Sequence, residues 1–249
     1  MKKYIIYLFV LFITSQNLSC TKESVGKAFN SNTGKGGSLA RFTIVGNYLY
    51  TVDKTQLKVF NVADPSAPEL RSTIDVGFEI ETIFPFRDKL FIGSTSVVHI
   101  FSIENPEQPE KLSEAISPQV LRRCDPVVAK DSVAYATLRT NGVCGGTQSV
   151  LAVYDIKDVT HPINVNQVMV SEPYGLGYAE NALYVCDRWT LLVFDISEPY
   201  TPELKIQLAG HEFYDVIADG NTLICWIKEG VALYDITDRF NPEIITTIN

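Results

Sequence analysis

Leu192-Val193-Phe194-Asp195-Ile196-Ser197-Glu198-Pro199-Tyr200-Thr201-Pro202 decides the fold, because an apolar run that enters a proline-marked turn recurs along the chain. Its core, Val193-Phe194-Asp195-Ile196, has counterparts in Val59-Phe60-Asn61-Val62, Ile100-Phe101-Ser102-Ile103, Val153-Tyr154-Asp155-Ile156 and Leu233-Tyr234-Asp235-Ile236. Six residues beyond each copy stands a proline: Pro68, Pro109, Pro162, Pro202 and Pro242. In three copies a second proline precedes it, at Pro65, Pro106 and Pro199. The spacing gives a period of about 40 residues with one insertion, the size of a propeller blade.

Each period holds four short runs of alternating or branched apolar residues separated by turn residues, which predicts four strands, a to d. In the first period they are Arg41 to Val45, Tyr48 to Val52, Leu57 to Val62 and Glu69 to Asp75. Gly46-Asn47, Asp88-Lys89, Asp131-Ser132, Glu180-Asn181 and Gly220-Asn221 supply the a-to-b turns. The prolines exclude long helices, since a proline inside a helix costs about 3 kcal/mol. The chain is therefore expected to be all-β, a five-bladed β-propeller of four-stranded blades. A two-sheet sandwich is the alternative, and the fixed period argues against it. The blades are expected at about residues 40–76, 80–117, 124–170, 174–209 and 214–249. Because the chain enters on an a strand and leaves on a d strand, closure between the first and last blades would rest on face packing alone.

The apolar-aromatic-Asp-apolar run leading into Pro-x-x-Pro resembles the LVIVD repeat. The resemblance implies a propeller of bacterial or archaeal cell-surface and secreted proteins, with no common activity. Val159 and Arg239 replace the first proline of the motif, and Asn61 and Ser102 replace its Asp. The recurring Asp155, Asp195 and Asp235 read as turn residues that accept backbone amides ahead of the proline.

Residues 1–19 read as a secretory signal, with Lys2 and Lys3 before an apolar run too short for a good membrane span. They end at Leu18-Ser19-Cys20, which resembles a bacterial lipobox with Cys20 as the lipidated residue. Residues 20–38, rich in Ser, Asn, Gly and Lys, read as a flexible tether, and 39–249 as the propeller. The glycine run there lacks the spacing of a phosphate loop. The expected partner is thus a membrane reached through a lipid anchor in the cell envelope, most simply the outer membrane, facing periplasm or surface. The net charge of −8 grows more negative once Lys2 and Lys3 leave, which argues against nucleic acid as a partner.

Four cysteines follow Cys20. Cys124 opens the a strand of the third repeat and Cys144 lies in the insertion after its b strand, so both fall on one rim and a disulfide between them is expected. Two free thiols, or a metal pair lacking partners, are the alternative. Cys186 and Cys225 sit one position out of register on b strands, point to opposite sheet faces and read as buried, inert thiols.

The same rim collects polar and aromatic residues at the starts of a strands and the ends of b strands. Arg41, Glu81, Asp125, Tyr174, Asp187, Trp189, Tyr214 and Asp215 are the candidate ligand-binding residues, since mouths with aromatic walls and convergent polar groups are default binding sites. The competing reading is a wet channel whose strand-end charges face solvent or pair with one another. His99, His161 and His211 occupy non-equivalent positions and make no metal triad, so neither metal nor cofactor is expected. No G-x-S-x-G or H-E-x-x-H motif occurs. These features point to a non-enzymatic module that binds a protein or glycan, with a carbohydrate-active hydrolase using rim carboxylates as the alternative.

Overall fold

The computed structural model describes residues 36–95, 97–116, 126–140 and 148–249. All regular structure among them is strand, in four antiparallel sheets. The first sheet orders β1 (Phe42–Val45), β2 (Tyr48–Val52), β3 (Gln56–Asn61) and β4 (Glu69–Asp75) consecutively. The second orders β5 (Ile80–Phe86), β6 (Lys89–Ser94), β7 (Val97–Ser102) and β8 (Glu110–Ile116) in the same way. The third contains β9 (Val127–Lys130), β10 (Val133–Leu138), β11 (Ser149–Asp155) and β12 (Ile163–Val170). Among the described residues no helix is long and apolar enough to cross a membrane.

The fourth and fifth repeats depart from the expected pattern and share one six-stranded sheet. It runs through β13 (Leu176–Ala179), β14 (Ala182–Asp195), β15 (Glu203–Asp219), β16 (Thr222–Ile227), β17 (Gly230–Asp235) and β18 (Glu243–Ile248). Two mergers produce it, one within the fourth repeat in β14 and one between the fourth and fifth repeats in β15. Only Arg188 and Trp189 separate the b and c segments of β14, and a register shift there lets Arg188 still pair with Phe213. In β15 the d segment of one repeat passes into the a segment of the next through Gly210, whose φ of 133° suits only glycine. The sheets therefore number four where five were expected.

Turn chemistry explains the regular part. At the a-to-b turns Gly46, Arg87, Asp131, Glu180 and Gly220 all have φ between 52° and 59°, as tight primed hairpin turns demand. The second of these is Arg87-Asp88, one residue earlier than the expected Asp88-Lys89, because Lys89 already pairs with Phe86 and Ser102. At the proline turns the motif carboxylates Asp155, Asp195 and Asp235 accept the amides of Lys157, Ser197 and Thr237 at 2.9, 2.9 and 2.7 Å. Asn61 and Ser102 do the same for Ala63 and Glu104, so both substitutions keep the turn.

Packing between repeats follows one rule. Side chains of one repeat that point toward the next meet side chains of the next that point back. Tyr50, Val52, Leu57 and Val59 meet Ile83, Leu90, Ile92 and Phe101. Phe91, Val98 and Ile100 meet Val127, Ala134 and Ala152. Tyr135, Leu151 and Val153 meet Leu183, Val185 and Phe194. Tyr184, Leu191 and Val193 meet Phe213, Val216 and Leu223. Cys186 and Cys225 do lie on opposite sheet faces, and for that reason they share this last seam. Both are free, and burial pushes the Cys225 thiol up to about 12 and the Cys186 thiol well above its ordinary value, so they are inert at neutral pH.

Candidate functional site

The a segments of the second to fifth repeats line a cavity of about 420 Å³, with Phe84, Val128, Leu176, Tyr178 and Val216 on its wall. At the end where a strands begin, the chain segment before β1 crosses it. Gly37 and Ser38, which the sequence places in the tether, are buried there. Ser38 Oγ donates to Asp215 Oδ1 at 3.2 Å and accepts the Leu176 amide at 2.7 Å, and the Leu39 amide donates to Asp215 Oδ2 at 3.2 Å. The carboxylate also accepts its own neighbour's amide, Val216 N, at 2.9 Å. Gly37 and Gly175 enclose it so closely that a Cβ on either would fall 2.0 Å from a carboxylate oxygen. Burial outweighs these donors and lifts Asp215 to about 6. Asp215 is thus the buried tie that holds the entering segment across the channel.

Outside this tie the rim carries a row of stacked side chains. Trp226 and Tyr214 are 5.1 Å apart between ring centroids, and Tyr214 and Tyr174 meet edge to face at 5.7 Å. The Arg139 guanidinium lies over the Tyr174 ring at 4.1 Å. Beyond it is Glu81, a half-buried carboxyl raised by burial against the lowering pull of Arg41 and Arg139. A register shift between Ile80 and Thr82 sets Glu81 outside the regular pairing. The order along the rim is therefore aromatic, aromatic, aromatic, cation, anion, cation.

A second group flanks this row. Arg188, in the left-handed conformation at φ 47°, donates to both oxygens of Glu172 at 2.8 Å and to Glu212 at 3.1 Å. Lys228 completes it, 3.4 Å from the other Glu212 oxygen. Trp189 is exposed beside Arg188, with the guanidinium 5.2 Å from its ring centroid.

The candidate residues separate by role. Glu81, Tyr174 and Tyr214 are brought together in the stacked row, and Arg41 contributes its charge to Glu81. Asp187 is buried and accepts the amides of Ser171 and Glu172, so it organises a loop. Asp215 is likewise enclosed. Trp189 stands apart on the Arg188 group. Asp125, Cys20 and the proposed Cys124 and Cys144 pair lie outside the described residues. Sequence reasoning places Arg139 and Arg188 at the b-strand ends of this rim without counting them among the ligand-binding candidates, and it leaves out Glu172, Glu212 and Trp226. Trp226 carries a readable signal, since the equivalent b-strand positions hold Val52, Gly93, Thr137 and Cys186, all buried. Among the described residues no group of three or more His, Cys, Asp and Glu comes together as a metal site.

The profile of the LVIVD repeat matches residues 36–76 and 177–209. The chain carries LVIVD repeats. The matched segments are the first and fourth repeats, both with the full Pro-x-x-Pro turn. Among curated protein sequences none matches. Solved structures do. The periplasmic gluconolactonase of Pseudomonas aeruginosa is similar with a TM-score of 0.63 at 12% identity, over 82% of this chain and 67% of that one. A functionally unknown protein of Desulfotomaculum acetoxidans gives 0.66 at 7% identity, over 87% and 68%. A Lactobacillus plantarum protein gives 0.63 at 15% identity, over 82% and 72%. At such identities the likeness is one of fold alone. The LVIVD repeats thus build an all-β, propeller-like frame whose rim residues are this chain's own.

Proposed function

We propose that the chain is a propeller-type array of five blades, anchored through Cys20 to the cell envelope, whose rim binds a protein or glycan ligand without chemical turnover. The observation that supports it most is the row Trp226, Tyr214, Tyr174, Arg139, Glu81 and Arg41. Aromatic faces beside paired charges supply contact area at little entropic cost, together with orienting polar groups. The hydrolytic alternative needs two carboxylates free to act across a pocket. Here Glu172 and Glu212 are tied to Arg188, Asp187 and Asp215 to backbone amides, and Glu81 feels the positive charges of Arg41 and Arg139. The gluconolactonase likeness is one of fold alone, so it adds nothing to the hydrolytic reading.

Cross-linking from intact cells, followed by mass spectrometry of what is captured, tests the module. Tyr214→Ala and Arg139→Ala are expected to lower affinity for the captured partner by about 10- to 30-fold, the range of a hot-spot truncation. Turnover of a glycan panel that is lost in Asp215→Asn or Glu81→Gln would decide for the enzyme. Labelled palmitate entering the wild type and absent from Cys20→Ala tests the anchor separately.

A further inference from the structure

The seams between repeats obey one rule, and the first and last repeats are left with one unused face each. The back-pointing face of the first sheet consists of the cross-strand row Ile44, Leu49, Phe60 and Leu70, with Phe42 beside it on Thr51. In the second repeat the positions of Leu49 and Phe60 are Leu90 and Phe101, both fully buried. In the first repeat the face is open, with Phe42 62% and Leu70 57% exposed. The forward-pointing face of the last repeat consists of Ile224, Leu233 and Ile217 in one row and Trp226, Val231 and Ile248 in the next. Their first-repeat counterparts Tyr50, Val52, Leu57 and Val59 are at most 6% exposed, whereas Trp226 and Ile248 are 55% and 57% exposed. Each open face belongs to a kind that this chain packs against its opposite kind four times over. Exposure of both shows that they do not close on each other within one chain.

We infer that the forward face of the last repeat docks on the back face of the first repeat of a second copy, in a head-to-tail contact. The occupant is fixed by complementarity: a forward face fits a back face, and a second copy presents the missing one. Such a contact is heterologous, so it extends to a ring or an open chain of copies and is not limited to a symmetric pair. It lacks one feature of the internal seams. Tyr50, Tyr135 and Tyr184 each donate a hydroxyl to a turn carbonyl of the following repeat, of Pro106, Pro199 and Arg239, at 2.9, 2.8 and 2.8 Å. The fifth repeat has Ile224 at that position, so the contact rests on apolar packing and is reversible and dependent on concentration.

Sedimentation velocity of the purified full chain, from nanomolar to high micromolar, tests this. Wild type is expected to shift to larger species with rising concentration. Phe42→Lys blocks the back face and Ile248→Lys the forward face; both positions are exposed, so both variants fold, which far-ultraviolet circular dichroism checks. Each alone is expected to stay monomeric. Mixed one to one, they are expected to form a heterodimer, because each still owns the face that the other has lost. A wild type that is monomeric throughout, single variants that still assemble, or a mixture that stays monomeric would each overturn the inference. Neither substituted position, Phe42 nor Ile248, belongs to the rim row, although Trp226 is shared by the rim row and the forward face.

Discussion

Asp215 is the residue at which sequence and environment differ most. On a strand-end alignment it is one of several acidic rim residues; in the fold it is enclosed by Gly37, Ser38 and Gly175. Its ordinary pKa of 3.8 rises to about 6 because burial disfavours the charged form more than its donors favour it. The stabilising contribution of this group is therefore fully present below its unfolded value and is lost as pH rises through the folded one. Between pH 4 and pH 7 the loss is about 2 kcal/mol, since a tenfold change in proton affinity is worth about 1.36 kcal/mol and part of the contribution is already gone at pH 4. Urea unfolding of wild type and Asp215→Asn over that range provides the test. The stability of wild type relative to the variant is expected to fall with pH, whatever constant offset the amide introduces. A pH-independent difference would mean that Asp215 is solvated and that Gly37 to Leu39 do not seal the channel end.

Between elements, the Tyr hydroxyls that reach the next repeat are the most specific contacts in the fold. Tyr184 is fully buried and its hydroxyl meets the carbonyl of Arg239, the residue that stands in place of a motif proline. Arg239 makes up for the lost ring by clamping its own turn: it donates to the carbonyls of Gly220 and Ile236 and pairs with Glu180. Tyr184→Phe leaves that part-buried carbonyl short of a partner and is expected to cost about 1–2 kcal/mol. In scanning calorimetry this is a fall in Tm of roughly 2–8 °C for a domain of this size. The second repeat shows that the ring itself is tolerated: Phe91 occupies the equivalent position, and Ser113 donates to the Val159 carbonyl instead. Strands and turns were legible because Asn, Asp and Gly at hairpin ends and the Asx turns act locally. The hydroxyl clasps were not, because Tyr50, Phe91, Tyr135, Tyr184 and Ile224 all read simply as apolar strand positions. Arg139 was legible as a strand-end rim residue, but its contact was not, because its partner ring, Tyr174, lies on another repeat.

At the scale of the whole molecule, the period dictates what each repeat is but not how the first meets the last. A 40-residue spacing encodes four strands and their order; the angle between successive sheets depends on side-chain volumes summed over every seam. That is why the expectation of closure by face packing met two open faces, and why merger of the last two repeats was not foreseen. The same arrangement sets where the molecule is stable. In a tandem array each repeat is held by its neighbours, so a repeat with one seam is held less firmly than a repeat with two. All described side chains of β10 are buried, as are all but the last of β11, whereas every residue of β18 and most of β4 are exposed. Native-state hydrogen exchange at low protein concentration should therefore rank the amides by position. Protection is expected to be highest in β10, β11 and the c segment of β14, and lowest in β4 and β18. Uniform protection across all sheets would show a ring closed within one chain. A rise in protection confined to β1 to β4 and β16 to β18 at high concentration would instead report the head-to-tail contact directly, strand by strand.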